Sequence, residues 1–177
     1  PQVGDIVMQN ELSREDIPPM PLDVCVAESQ GQIGYMIQLS LLNALERSGK
    51  EADIICTLGT VLIDNEHLHD LSTKPIGPYY SASEVEGLRA EREWEFVEDL
   101  KRGGYRRVVP SPPPIQVLGV EVLHRLIERS GPRKLIIVTG GGGGVPVHRR
   151  ERYYAGVEAG VDKDLTSALI ARELNAD

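Results

Sequence analysis

Two short apolar runs, each preceded by a segment of helical period, restrict this chain more than any other feature. Residues 52–63 (ADIICTLGTVLI) are crowded with β-branched side chains, and 135–139 (LIIVT) have the same character before running into five glycines, Gly140 to Gly144. β-Branched residues lose rotamer freedom in a helix but pack well on a pleated surface. Both runs therefore read as buried strands, the first central in its sheet. Apolarity that does not alternate indicates burial on both faces, as in parallel strands lying under helices.

The flanking segments supply those helices. Val3, Ile6, Val7 and Met8 fall on one side of a first helix, and a Pro-rich turn over 17–21 separates it from the next. Asp23 is placed to cap a long helix running towards Ser48, with Ile33, Met36, Ile37, Leu41, Leu42 and Leu45 at helical spacing. Gly49 suits the left-handed position past its end. Gly31 and Gly34 inside it either admit a close neighbour or mark a break between two shorter helices. Residues 119–130 return to helical period until Gly131-Pro132, a polar hairpin follows the glycines, and Asp164 precedes a last helix over 165–174. This alternation predicts an α/β fold: an open αβα sandwich with a mainly parallel sheet.

Residues 64–114 change character, being rich in Pro, Gly, Tyr and charge. A helix over 83–92 with a Ser83/Glu86 capping box and strands over 94–97 and 106–109 are expected there. The proline-rich stretch 110–114 gives a stiff return to the main body. The segment reads as a small flap. A net charge of −8 argues against a nucleic-acid surface, since phosphate backbones select basic patches. No apolar run is long enough to span a membrane, and no signal-peptide pattern opens the chain. Cys25 and Cys56, in apolar surroundings and without CxxC spacing, read as free thiols in a reducing cytosol. The opening at Pro1 without an initiator Met and the abrupt end at Asp177 read as a piece or processed form of a longer chain.

Three motifs could carry chemistry. Glycines 140 to 144 follow a strand, where ligands of open parallel sheets bind and where an anion can approach the backbone; a turn without ligand is the other reading. The run matches neither GxGxxG nor a Walker sequence. Asp162-Lys163-Asp164 opens a helix, whose start gathers unpaired N–H groups. Asp164 is either a simple cap or a carboxylate that orients lysine ammonium groups, and Lys163 either a solvated lysine or one that offsets phosphoryl charge. Lys74, between Thr73 and Pro75-Ile76-Gly77-Pro78, lies on a stiffened loop that can close over a substrate, or is an ordinary turn lysine. Arg102, Arg106 and Arg107 are expected to pair within the flap with Glu95, Glu98 or Asp99. Glu66, His67, His69 and Asp70 have loose metal-ligand spacing, but with no second cluster no protein-held metal is expected. His124 reads as packed or solvated, and His148 with Arg149, Arg150 and Arg152 as a solvated face. Hydrolase readings lack a nucleophile.

A longer series of motifs runs through the chain in order. It comprises Pro1-Gln2-Val3-Gly4 with Gln9-Asn10-Glu11, Pro21 to Cys25, Ser29-Gln30-Gly31, Ile33-Gly34-Tyr35-Met36, Thr73 to Pro78, and Gly104 to Pro112. Gly140 to Gly143, Val145-Pro146-Val147, Gly156 to Ala159 and Asp162-Lys163-Asp164 complete it. This series resembles carbamate kinase of the amino-acid kinase family over nearly the whole chain. The resemblance implies a homodimeric cytoplasmic enzyme of arginine catabolism with a protruding subdomain over about 73–114. It implies reversible phosphoryl transfer between ATP and carbamate, with carbamoyl phosphate and ADP as the opposite pair and Mg²⁺ bridging the phosphates. Lys163 matches a phosphate-contacting lysine, Asp164 an acidic organiser and Lys74 the subdomain lysine. Asp162 and Lys163 would face the nucleotide, and Gly140, Gly141, Gly142 and Gly143 the substrate end.

The chain also departs from the pattern. The family's Gly-Gly-Asn-Ala loop, its His-Gly-Asn-Gly stretch and a further phosphate-contacting lysine are not among these residues. Five glycines stand where four are usual, and residues 66–72 are unlike the usual approach to the lysine loop. Residues 1–177 are therefore expected to form an incomplete amino-acid kinase domain, with little or no turnover alone. The alternatives are a related kinase with another carboxylate acceptor and a non-catalytic dimeric relative.

Overall fold

A computed structural model describes residues 2–64, 66, 68, 72–92, 94–139 and 141–176. Helix α1 (Gln2–Leu12) leads into α2 (Leu22–Ser48), and strand β1 (Ala52–Cys56) follows. β1 pairs in parallel with β7 (Lys134–Val138), from Ala52 opposite Lys134 to Cys56 opposite Val138. The two apolar runs thus lie side by side, and the fold is α/β.

The run over 52–63 is two strands rather than one. It breaks at 57–59, and β2 (Thr60–Ile63) enters a different sheet, ordered β6-β2-β8-β9. Buried Gln30 of α2 is the cause: its side chain donates to Gly59 O at 3.2 Å and accepts from Gly59 N at 3.0 Å. Gly59 is thereby tied to a helix as well as to Val145, whose N donates to Gly59 O at 2.7 Å. In this second sheet β2 runs parallel to β8 (Val145–Arg150) and antiparallel to β6 (Pro114–Leu118), while β8 turns back into β9 (Tyr153–Gly156). The stretch expected to be only a stiff return thus leads into a strand.

The flap is an antiparallel sheet of its own, ordered β3-β5-β4. β3 (Ser72–Tyr80) contains the segment expected to be a loop, and β5 (Tyr105–Pro110) and β4 (Glu95–Glu98) complete the sheet. Proline has no N–H for a ladder, so Pro75 and Pro78 fit this edge strand with its register shifts. Helix α3 (Ala82–Glu91) is capped two residues earlier than expected. Ser81 accepts from Glu84 N and Glu84 returns to Ser81 N, so Ser81/Glu84 replaces Ser83/Glu86 as the capping box.

α2 is unbroken, which settles the role of its glycines. A Cβ on Gly34 would meet Cys56 Sγ at 2.3 Å, so helix and strand touch there, whereas Gly31 faces open space. The helix starts at Leu22 after Pro21, leaving Asp23 in the first turn instead of capping, and Gly49 closes it at φ 62°. α4 (Val120–Glu128) and α5 (Lys163–Glu173) follow β6 and β9.

The apolar interior has two centres. Val61, Ile63, Val117, Ala159, Val161 and Leu169 join the second sheet to α5. Val7, Leu22, Cys25, Val26, Ile76 and Val109 join α1 and α2 to the flap. Both cysteines are free, and burial, its largest influence, pushes the Cys25 thiol up to about 11. No described helix is long and apolar enough to cross a membrane.

Candidate active site

Helix α5 begins two residues earlier than the sequence suggests, and this decides what Asp164 can do. Asp162 is the N-cap, its carboxylate accepting from Asp164 N at 2.8 Å and Leu165 N at 3.4 Å. These bonds, Asp164 N first, hold Asp162 below the usual carboxylate range. Asp164, relieved of capping, turns its carboxylate to the Lys163 ammonium. That hydrogen bond raises the Lys163 pKa above its ordinary value, although the side chain is exposed.

Lys74 reaches the same place from the flap. Its ammonium donates to Val161 O at 2.5 Å, one residue before the Asp162 cap. Burial, the larger influence, lowers its pKa; Asp162 opposes that, Lys163 adds to it, and Asp164 opposes it more weakly. Two ammonium groups thus lie near the Asp162 and Asp164 carboxylates, one half-buried and one in water.

They share a cleft of about 460 Å³. Lys74, Gly141, Gly142, Gly143, Asp162, Lys163 and Asp164 all line it, with Val26, Ile76 and Val109 among its apolar walls. Every described residue that the sequence singled out for phosphate chemistry therefore meets in one cavity. Gly140 lies outside the described residues, as do His67, His69 and Asp70. No cluster of three or more metal-ligating side chains occurs among the described residues.

The glycines answer first to the protein's own backbone. A Cβ on Gly143 would stand 1.9 Å from Val161 O, and one on Gly141 would stand 2.6 Å from Gln30 O. The glycine loop is pressed between α2 and the start of α5, and Thr166 Oγ1 pins it by donating to Gly143 O at 2.7 Å. Gly144, at φ 92°, makes the turn into β8. Sequence reasoning missed Gln30, Thr166 and the Val161 carbonyl. Glycines next to a strand signal the loop, but no local pattern says which backbone presses against it.

The flap arginines are placed differently from the expectation. Arg102 Nη1 donates to Tyr79 OH at 3.4 Å, and Asp99 also raises the Arg102 pKa, which keeps that pairing local. Arg106 donates to Gly77 O at 3.0 Å, and Arg107 faces Glu158, outside the flap. The remaining histidines take simple positions: His124 is 3.2 Å from Glu128 on α4, and His148 accepts from Arg150 at 3.2 Å on the β8–β9 hairpin.

The carbamate kinase of Pyrococcus furiosus is 40% identical over 180 aligned residues, covering 100% of this chain and 56% of that protein. Along its whole length, the chain is similar to carbamate kinases. It spans about half the length of the curated relatives it matches. Two solved structures agree. Carbamate kinase from Giardia lamblia bound to citric acid superposes with a TM-score of 0.85 at 36% identity, covering 100% of this chain and 56% of that one. The same enzyme bound to AMP-PNP gives 0.82, again at 36% identity, covering 100% and 55%. A comparison with protein-family models found no match.

Proposed function

We propose that this chain contributes the phosphoryl-transfer cleft of a carbamate kinase. The observation that carries the reading is the convergence of Lys74 and Lys163 on one glycine-lined cavity with Asp162 and Asp164 beside them. Homology to carbamate kinases, one of which is solved with AMP-PNP, supports ATP and carbamate as the substrates.

In the forward step a carbamate oxygen attacks the γ-phosphorus of ATP. The new O–P bond forms as the bond to the ADP oxygen breaks, giving carbamoyl phosphate; the reverse step makes ATP. Charge on the transferring group is offset by positioned cations, which is most of what a protein can add to phosphoryl transfer. Lys163, aimed by Asp164, and Lys74, aimed by the Val161 carbonyl, fill that role. Mg²⁺ brought in with the nucleotide would supply further positive charge to the phosphates beside Lys74 and Lys163.

The sheet β3-β5-β4 with α3 acts in this reading as a lid over about 73–114, bringing Lys74 to the cleft. Exposed Tyr35, Met36, Ile37, Leu39 and Leu42 on α2 give a homodimer an apolar face to cover. A cytoplasmic role in arginine breakdown follows from the same reading. The test is ATP formation from carbamoyl phosphate and ADP by the full protein. Turnover that Lys163→Ala abolishes is expected; turnover with another acyl phosphate but not with carbamoyl phosphate would overturn the substrate assignment.

A further inference from the structure

Behind the cleft, and not lining it, Glu158 uses its two carboxylate oxygens on two different parts of the fold. Oε1 accepts from Leu22 N at 2.7 Å, supplying the cap that Pro21 does not give α2. Oε2 stands 3.9 Å from Arg107 Nη2 on lid strand β5. The Arg107 side chain is 10% exposed, and its guanidinium lies 3.9 Å above the Trp94 ring. Its Nε finds no hydrogen-bond partner among the described residues. A buried guanidinium left without an opposing charge is strongly unfavourable; Glu158, although its own side chain is 60% exposed, supplies the largest opposing charge, and Glu11 adds to it.

The residues just after Glu158 are also held by the lid. Gly160 N donates to Pro110 O at 2.8 Å and Ser111 Oγ donates to Gly160 O at 3.0 Å. Lys74 then takes the Val161 carbonyl, and the next residue is the Asp162 cap of α5. Both long lid strands therefore grip the loop over 158–161, and that loop alone separates the lid contacts from Lys163. Its placement sets how far the lid lysine stands from the body lysine.

We propose that Glu158 and Arg107 are positioning residues for phosphoryl transfer, holding the loop over 158–161 so that Lys74 and Lys163 stay in register across the cleft. The assignment rests on the kinase reading above. Glu158→Gln keeps an acceptor for Leu22 N but removes the charge facing Arg107, and Arg107→Met removes the other partner. In the full protein each is expected to lower kcat for ATP formation about ten- to a hundred-fold, with KM for ADP within about two-fold, because misplacement by an ångström acts on the transition state. The double variant should be no slower than the worse single, since the two act as one unit. Arg107→Lys, which keeps the charge, should restore part of kcat. Thermal unfolding of each variant separates placement from loss of folded protein.

Wild-type kcat in folded Glu158→Gln and Arg107→Met overturns the assignment, as does a fall in kcat no larger than the loss of folded protein. If the unsubstituted protein makes no ATP, the kinase reading fails and this assignment fails with it. If it makes ATP and the variants match it, only the assignment fails.

Discussion

The lid and the body each deliver one lysine to the cleft, and they do so by opposite physical means. Lys74 comes from an antiparallel sheet stiffened by Pro75 and Pro78; its ammonium is half-buried, held by a backbone carbonyl, and burial pulls its pKa down. Lys163 stands at the first turn of a helix in open water, held by its neighbour Asp164, and its pKa is pushed up. One cation is exact in place but loses charge readily; the other keeps its charge but is placed only by an exposed neighbour. A transferring phosphoryl group needs position and charge together, and under the proposed kinase reading this division would supply each from a different region.

Removing either lysine should break the division most severely. Lys163→Ala and Lys74→Ala are each expected to lower kcat for ATP formation about 10²- to 10³-fold, the scale of losing one preorganised charge donor. A variant that keeps more than a tenth of wild-type turnover would remove that lysine from the chemistry.

Gly143→Ala tests the seam between the regions' shared loop and α5. Its Cβ would stand 1.9 Å from Val161 O, so backbone has to move. A loss of about 2 kcal/mol or more in denaturant unfolding is expected, with turnover reduced alongside. Unchanged stability would show that the loop has room the structure does not give it.

The pH dependence separates the lysines. Lys74 is depressed in the folded protein, so its positive form is disfavoured by folding. That penalty is fully present below the depressed value and disappears as pH rises from there towards the ordinary 10.5. Catalysis runs the other way: kcat/KM should fall as pH rises through the depressed Lys74 value, below 10.5, while Lys163 keeps its charge to higher pH. Lys74→Arg should move that alkaline limb upward, and a limb that stays put assigns it to another group.

The smallest effect belongs to the lid alone. Ser81→Ala removes the capping box of α3 and should lower stability by about 1 kcal/mol, with kcat little changed. A large kcat loss would mean that α3, and not only the strands, positions Lys74.

How legible all this was depends on the range of the forces involved. The helical period of α2 and the apolar strands β1 and β7 follow from side-chain spacing and branching, which are local; that Gly31 and Gly34 leave α2 unbroken does not. Gly49 ending α2 is local too, because only its own φ of 62° matters. By contrast, nothing within residues 52–63 announces the break at 57–59, since the partners of Gly59, Gln30 of α2 and Val145 of β8, come from elsewhere in the chain. Pro75 and Pro78, by fixing φ, make the lysine segment read as a stiffened loop; it is a strand because an edge strand has one side that needs no ladder.

Sequence alone determined the α/β class, the chemical groups at the cleft and their helix-start setting, since those depend on residue type and on neighbours a few positions away. Only the tertiary structure decided that Asp162 rather than Asp164 caps α5, that Lys74 leans on the Val161 carbonyl, and that Arg107 leaves the flap to meet Glu158. Those choices turn on backbone and charges brought together from distant positions, which carry no mark in local sequence until the chain has packed.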